Sequence, residues 1–148
     1  MQYRGKWKNG YMGEVEWMFY NELAIRRAVR DKKRDYGSPK GKTAGGGGFI
    51  SDPTATQAIR EITPLRFVYV RGRRVEKPET WLKVVDETYK HLPELHKKVV
   101  LARYRGENYQ MTCAEYNIAS TTYNSILTKA RMFAAGVAAQ YGLVKIVD

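Results

Sequence analysis

From residue 120 to 131 the chain reads Ser-Thr-Thr-Tyr-Asn-Ser-Ile-Leu-Thr-Lys-Ala-Arg. Wound as a helix, Tyr123, Ile126, Ala130 and Phe133 share an apolar face, and Ser120, Thr121, Asn124, Ser125 and Thr128 fall on the outward side. Those five are short, uncharged hydrogen-bonding side chains whose chemistry is recognition. An amide such as Asn124 pairs with adenine in the major groove of a duplex, hydroxyls accept or donate to base edges, and threonine methyls pack on thymine methyls. Thr122, Lys129 and Arg131 flank this set and suit phosphate oxygens. The plainer alternative is a helical hairpin with a polar outer face.

Three other residues argue against that alternative, because they supply what a helix-turn-helix demands of its connection. Cys113 is small, as needed where the third helix crosses the second; Asn117 tolerates positive φ; and Ile118 is apolar and follows the turn inward. The spacing predicts a helix from Pro93-Glu94 carrying Leu95, Val99, Val100 and Tyr104 and broken at Gly106-Glu107-Asn108. A short helix follows over about 110–116 and a longer one over 120–139, so the helix-turn-helix covers 94–139.

Upstream, Tyr11, Val15, Met18, Ile25 and Val29 recur at helical spacing with Glu22 as the one intruder, which predicts a single long helix over about 12–35. Its second half is rich in arginine and lysine. Arg26, Arg27 and Arg30 suit either a solvated helix end, where cations complement the dipole, or a face that contacts phosphates. Four consecutive glycines, Gly45 to Gly48, mark a linker over 37–50, and the nearby Gly41-Lys42-Thr43 lacks the leading glycine of a nucleotide-binding loop. Asp52 and Pro53 form a helix start. Residues 65–76, rich in β-branched, aromatic and arginine side chains, predict a hairpin turning at Gly72, in which the four arginines Arg66, Arg71, Arg73 and Arg74 either line DNA or merely keep the ribbon soluble. Pro78 opens a helix to about Leu92 with Leu82, Val85, Tyr89 and Leu92 as its stripe and Trp81 packing at the edge.

The fold class expected is mainly α: a basic N-terminal helix (1–36), a glycine-rich linker (37–50) and a helical DNA-binding domain (51–148) with a small β-hairpin and the helix-turn-helix. The 148 residues carry a formal charge of +11, from 26 lysines and arginines against 15 carboxylates, a balance that favours a polyanionic partner. No apolar run approaches the ~20 residues of a membrane span, no secretory leader is apparent, and one cysteine excludes an internal disulfide, so a cytoplasmic location is expected. His91 and His96 lie on either side of Pro93 and do not share a helix face, no carboxylates cluster, and Cys113 has no basic neighbour. Neither a metal, a cofactor nor enzymatic activity is expected.

The residues also carry a resemblance. Leu92-Pro93-Glu94, the helix through Val99-Val100-Leu101-Ala102-Arg103-Tyr104 and the segment from Asn117 to Arg131 resemble region 4 of bacterial sigma factors. The glycine run followed by Ile50-Ser51-Asp52-Pro53-Thr54-Ala55, then Lys77-Pro78-Glu79-Thr80-Trp81-Leu82, is similar to the RinA-type phage transcriptional regulators. Together these cover roughly 45–143. The resemblance implies a sequence-specific double-stranded DNA-binding regulator, an activator of bacteriophage or prophage late or packaging genes acting near the nucleoid of a bacterial host. Host RNA polymerase and a second copy of the chain are the further partners it suggests. Two positions depart from the pattern: Thr112 replaces an Ile or Val, and Ala119 replaces a Ser or Thr cap, leaving Ser120 as the candidate cap. No arginine stands at the base-contacting positions, so major-groove insertion carries over and promoter −35 recognition does not. The alternative function is the DNA-recognition small subunit of a phage terminase, which would assemble as a ring.

Overall fold

The computed structural model describes residues 10–37 and 63–146. The linker from residue 38 onward and the helix start at Asp52-Pro53 lie outside the described residues. Those described form six helices and one antiparallel hairpin: α1 (Gly10–Tyr20), α2 (Glu22–Gly37), β1 (Phe67–Val70), β2 (Arg73–Glu76), α3 (Pro78–His91), α4 (Glu94–Tyr104), α5 (Tyr109–Tyr116) and α6 (Ser120–Gln140). The chain is therefore mainly α with a small two-stranded sheet, and no described helix is long and apolar enough to cross a membrane.

The single helix expected over 12–35 is two helices that meet at Asn21. The Asn21 amide still donates to the Trp17 carbonyl at 3.0 Å, but the Asn21 Nδ2 group donates to the same oxygen at 2.9 Å. A side chain that competes for a helix carbonyl in this way weakens the backbone ladder locally, which a pattern of apolar residues does not reveal. Two compact units divide close by: residues 1–22 with 80–148, and residues 23–79.

In the first unit α1 packs on α6, and α4, α5 and α6 pack on one another. Its core is assembled from Val15, Met18, Phe19, Val84, Val85, Val99, Val100, Ile126, Ala130, Ala134, Ala135 and Ala138, all buried. The Phe19 ring lies 5.6 Å from Tyr89 and 5.3 Å from Tyr104, and Tyr20 meets Tyr104 edge-on at 4.8 Å. Trp81 is buried, as its place beside the stripe of α3 requires, and Val84 and Thr88 bury a second side of that helix which the stripe did not include.

In the second unit the hairpin turns on Arg71 and Gly72, both at positive φ (53° and 77°), as the tight two-residue turn matching strand twist requires. Val68 pairs with Val75 across the ladder and Val70 with Arg73. Period-two alternation then buries Val68, Val70 and Val75, while Tyr69, Arg74 and Glu76 face outward. Ile25, Val29 and Leu65 are buried in the same unit. Lys32 ties α2 to β1, donating to the Phe67 carbonyl at 2.8 Å and lying 3.9 Å from its ring centroid; Lys33 pairs with Glu79 at 2.6 Å.

Candidate nucleic-acid interface

The segment from Glu94 to Gln140 is shaped by how its helices stop. The α4 helix ends where Gly106 takes positive φ (93°), with the Glu107 amide donating to the Ala102 carbonyl and the Gly106 amide to Arg103. This six-to-one and five-to-two pairing satisfies carbonyls that a helix end leaves open. The α5 helix ends in the same way, with Ile118 donating to Cys113 at 3.0 Å and Asn117 to Ala114 at 3.4 Å, while Asn117 itself stands in the left-handed region at φ 55°, ψ 52°. Asparagine at that position has the tolerance expected of it. Ile118 and Cys113 are half-buried beneath the turn.

The α5 helix starts on Asn108, whose side chain accepts from the Gln110 amide at 2.7 Å. Thr112 is fully buried where an aliphatic residue was the expected choice. Its hydroxyl faces Glu107 Oε1 at 3.1 Å and the Asn108 carbonyl at 3.3 Å, so the polar atom is accommodated within its own helix start.

Two residues, Ile118 and Ala119, separate Asn117 from the start of α6. Its N-cap is Ala119, at φ −76° and ψ 158°, with no side chain bonded across the first turn. Ser120 is the first helical residue and not the cap. The opening amides of α6 are thus left to an outside acceptor, in the place where a helix dipole favours negative charge.

Along α6 the buried side carries Tyr123, Ile126, Leu127, Ala130, Ala134 and Ala138. Phe133 is half-buried and stacks on His91, ring centroids 4.0 Å apart and 5° from parallel. Ser120, Thr121, Thr122, Asn124, Ser125, Thr128 and Lys129 are all exposed, so the structure brings every predicted base-facing residue onto one accessible strip. Met132 extends that strip by one turn and is 61% exposed; as an apolar side chain it falls outside the hydrogen-bonding pattern that marks the others in the sequence.

Arg131 is a correction. Expected at a phosphate, it is largely buried: its Nε donates to the Tyr104 hydroxyl at 3.2 Å and lies 3.1 Å from Glu16 Oε1 in an ion pair. At about 100° per residue Arg131 sits only about 40° from Leu127, at the margin of the buried face, and the arrival of α1 covers that margin. Glu16 is 1% exposed and its second oxygen has no partner. Burial, helped by the Glu16 charge, pushes the Tyr104 phenol well above its ordinary range. Tyr123 is raised as well, chiefly by burial, against the opposing pull of the Arg103 guanidinium.

The remaining predicted cations lie in the other unit. Arg27 and Arg30 are exposed on α2, with Arg30 at 4.0 Å from Asp31, and Arg26 is half-buried with a partner of its own. Arg73 is half-buried and partnered. Arg74 is exposed, paired with Glu76, and lies over the Phe67 ring at 4.0 Å from its centroid. These pairings leave no trace in the residue pattern, where Asp31 and Glu76 read as ordinary surface charges. Compared with known protein families, with curated proteins and with solved structures, the chain matches none.

Proposed function

We propose that the protein is a sequence-specific double-stranded DNA-binding regulator that inserts α6 into the major groove, in the manner of a helix-turn-helix. The observation that carries this reading is the exposed strip of Ser120, Thr121, Asn124, Ser125 and Thr128 on the side of α6 opposite its buried face. A helix presented to a groove must be buried on one side, polar and short on the other, and open at its N-terminus; the Asn117 turn and the uncapped start at Ala119 supply the last condition. Asn124 is the base reader with the largest discriminating power, Thr121, Ser125 and Thr128 adjust it, and Thr122 and Lys129 hold phosphates. By its resemblance to RinA-type regulators, the target is an operator of phage late or packaging genes, with host RNA polymerase as a partner.

Selection of duplexes from a random pool by the full chain tests this reading. The expected result is enrichment of one short motif over successive rounds, bound at least about 1,000-fold more tightly than random duplex. Recovery of a pool with no shared motif would overturn it.

A further inference from the structure

The positive charge of the molecule is distributed very unevenly between its two compact units. In the full sequence the unit holding α6 carries twelve lysines and arginines against nine carboxylates, whereas the smaller unit of 23–79 carries fourteen against six. The larger unit thus has the smaller excess to offer the phosphate backbone, and phosphate neutralisation and counterion release supply most sequence-independent affinity for a duplex.

We infer that the 23–79 unit is the part of the protein that holds the DNA backbone, through arginines on α2 and at the tip of the β1–β2 hairpin. Arg27, Arg30 and Arg34 occupy successive turns of α2, are exposed, and span about 10 Å along its axis. Arg71, at the hairpin turn, and Arg27 both line an open groove between α2 and β1 of roughly 530 Å³. The acidic side chains on this surface are few and largely taken up. Asp31 pairs with Arg34 at 2.9 Å and lies 4.0 Å from Arg30, Glu76 pairs with Arg74, Glu79 pairs with Lys33, and Asp35 stands at the groove margin. Arginine suits the task because its planar fork meets phosphate oxygens in pairs and keeps its charge at any working pH. Tyr69, 62% exposed on the outward face of the hairpin, adds a ring that can lie against sugar and backbone.

The inference takes from the proposed function only that the ligand is duplex DNA, and makes no use of α6. It is tested with the full chain on a random-sequence duplex, by fluorescence anisotropy over a series of salt concentrations. Two triple variants remove the same charge: Arg27→Gln, Arg30→Gln and Arg71→Gln in the basic unit, and Lys83→Gln, Lys90→Gln and Lys98→Gln in the other. Both sets are exposed, and far-UV circular dichroism checks that each variant is folded. The arginine triple is expected to lower the slope of log K against log salt by about 2–3, at about 0.9 for each phosphate no longer neutralised, and the lysine triple to leave it unchanged. An equal reduction in both triples, a greater reduction in the lysine triple, or binding of polyglutamate as tight as binding of the duplex would overturn the assignment. Parallel titrations of Asn124→Ala keep the two ideas separate, because a variant that leaves motif preference intact sinks the α6 reading without touching the salt slope.

Discussion

Replacing Arg131 by methionine lowers the stability of the fold by about 3–5 kcal/mol, the usual cost of stranding one member of a buried ion pair. The stranded group is Glu16, 1% exposed, with one oxygen on Arg131 and the other already without a partner. The reciprocal change, Glu16→Leu, costs less, about 2–3 kcal/mol, because Arg131 retains the Tyr104 hydroxyl at 3.2 Å and is 17% exposed to water. Combining the two recovers much of the loss, since no uncompensated charge then remains. Urea unfolding of the three variants and the parent measures both the single losses and the recovery in the double variant. Equal losses in the two single variants, with no recovery when they are combined, would show that the pair is not buried as described.

Truncating Asn124 to alanine weakens binding to the selected motif by about 1–3 kcal/mol, on the order of 10- to 100-fold, and leaves random duplex unaffected. The asymmetry follows from position: Asn124 is exposed in the second turn of α6, flanked one turn either side by Ser120 and Thr128, and makes no interaction that stability requires. Stability measured by urea unfolding should stay within about 0.5 kcal/mol of the parent. An equal weakening on motif and random duplex would reduce Asn124 to a backbone reader.

The elements that position the proposed interface were legible because their determinants are local. Asn117 at a helix stop, Gly106 at another, Gly72 in a two-residue turn and the inward spacing of Tyr123, Ile126 and Ala130 each act within a few residues of chain. What escaped was one local competition and several tertiary contacts. The break at Asn21 depends on one amide competing for one carbonyl, and the residues on both sides of it keep the apolar period of a continuous helix. Arg131 read as an outward cation because its buried partner, Glu16, lies 115 residues away on α1, and no local pattern links the two. Leu127, Ala134, Ala135 and Ala138 went unmarked for a related reason: they are buried on a helix that packs against α1 as well as α4 and α5, and the C-terminal segment does not announce the arrival of α1. Charge behaves similarly. The overall balance pointed to a polyanion, but only the division of the fold into compact units separates a weakly basic larger part from a strongly basic smaller one.

Backbone amide shifts of the isotopically labelled chain, recorded while a duplex carrying the selected motif is titrated in, address the central claim most directly. The largest changes are expected at Ser120, Thr121, Asn124, Ser125 and Thr128, together with the opening amides of α6. A titration in which the duplex binds while those amides stay in place would contradict the account.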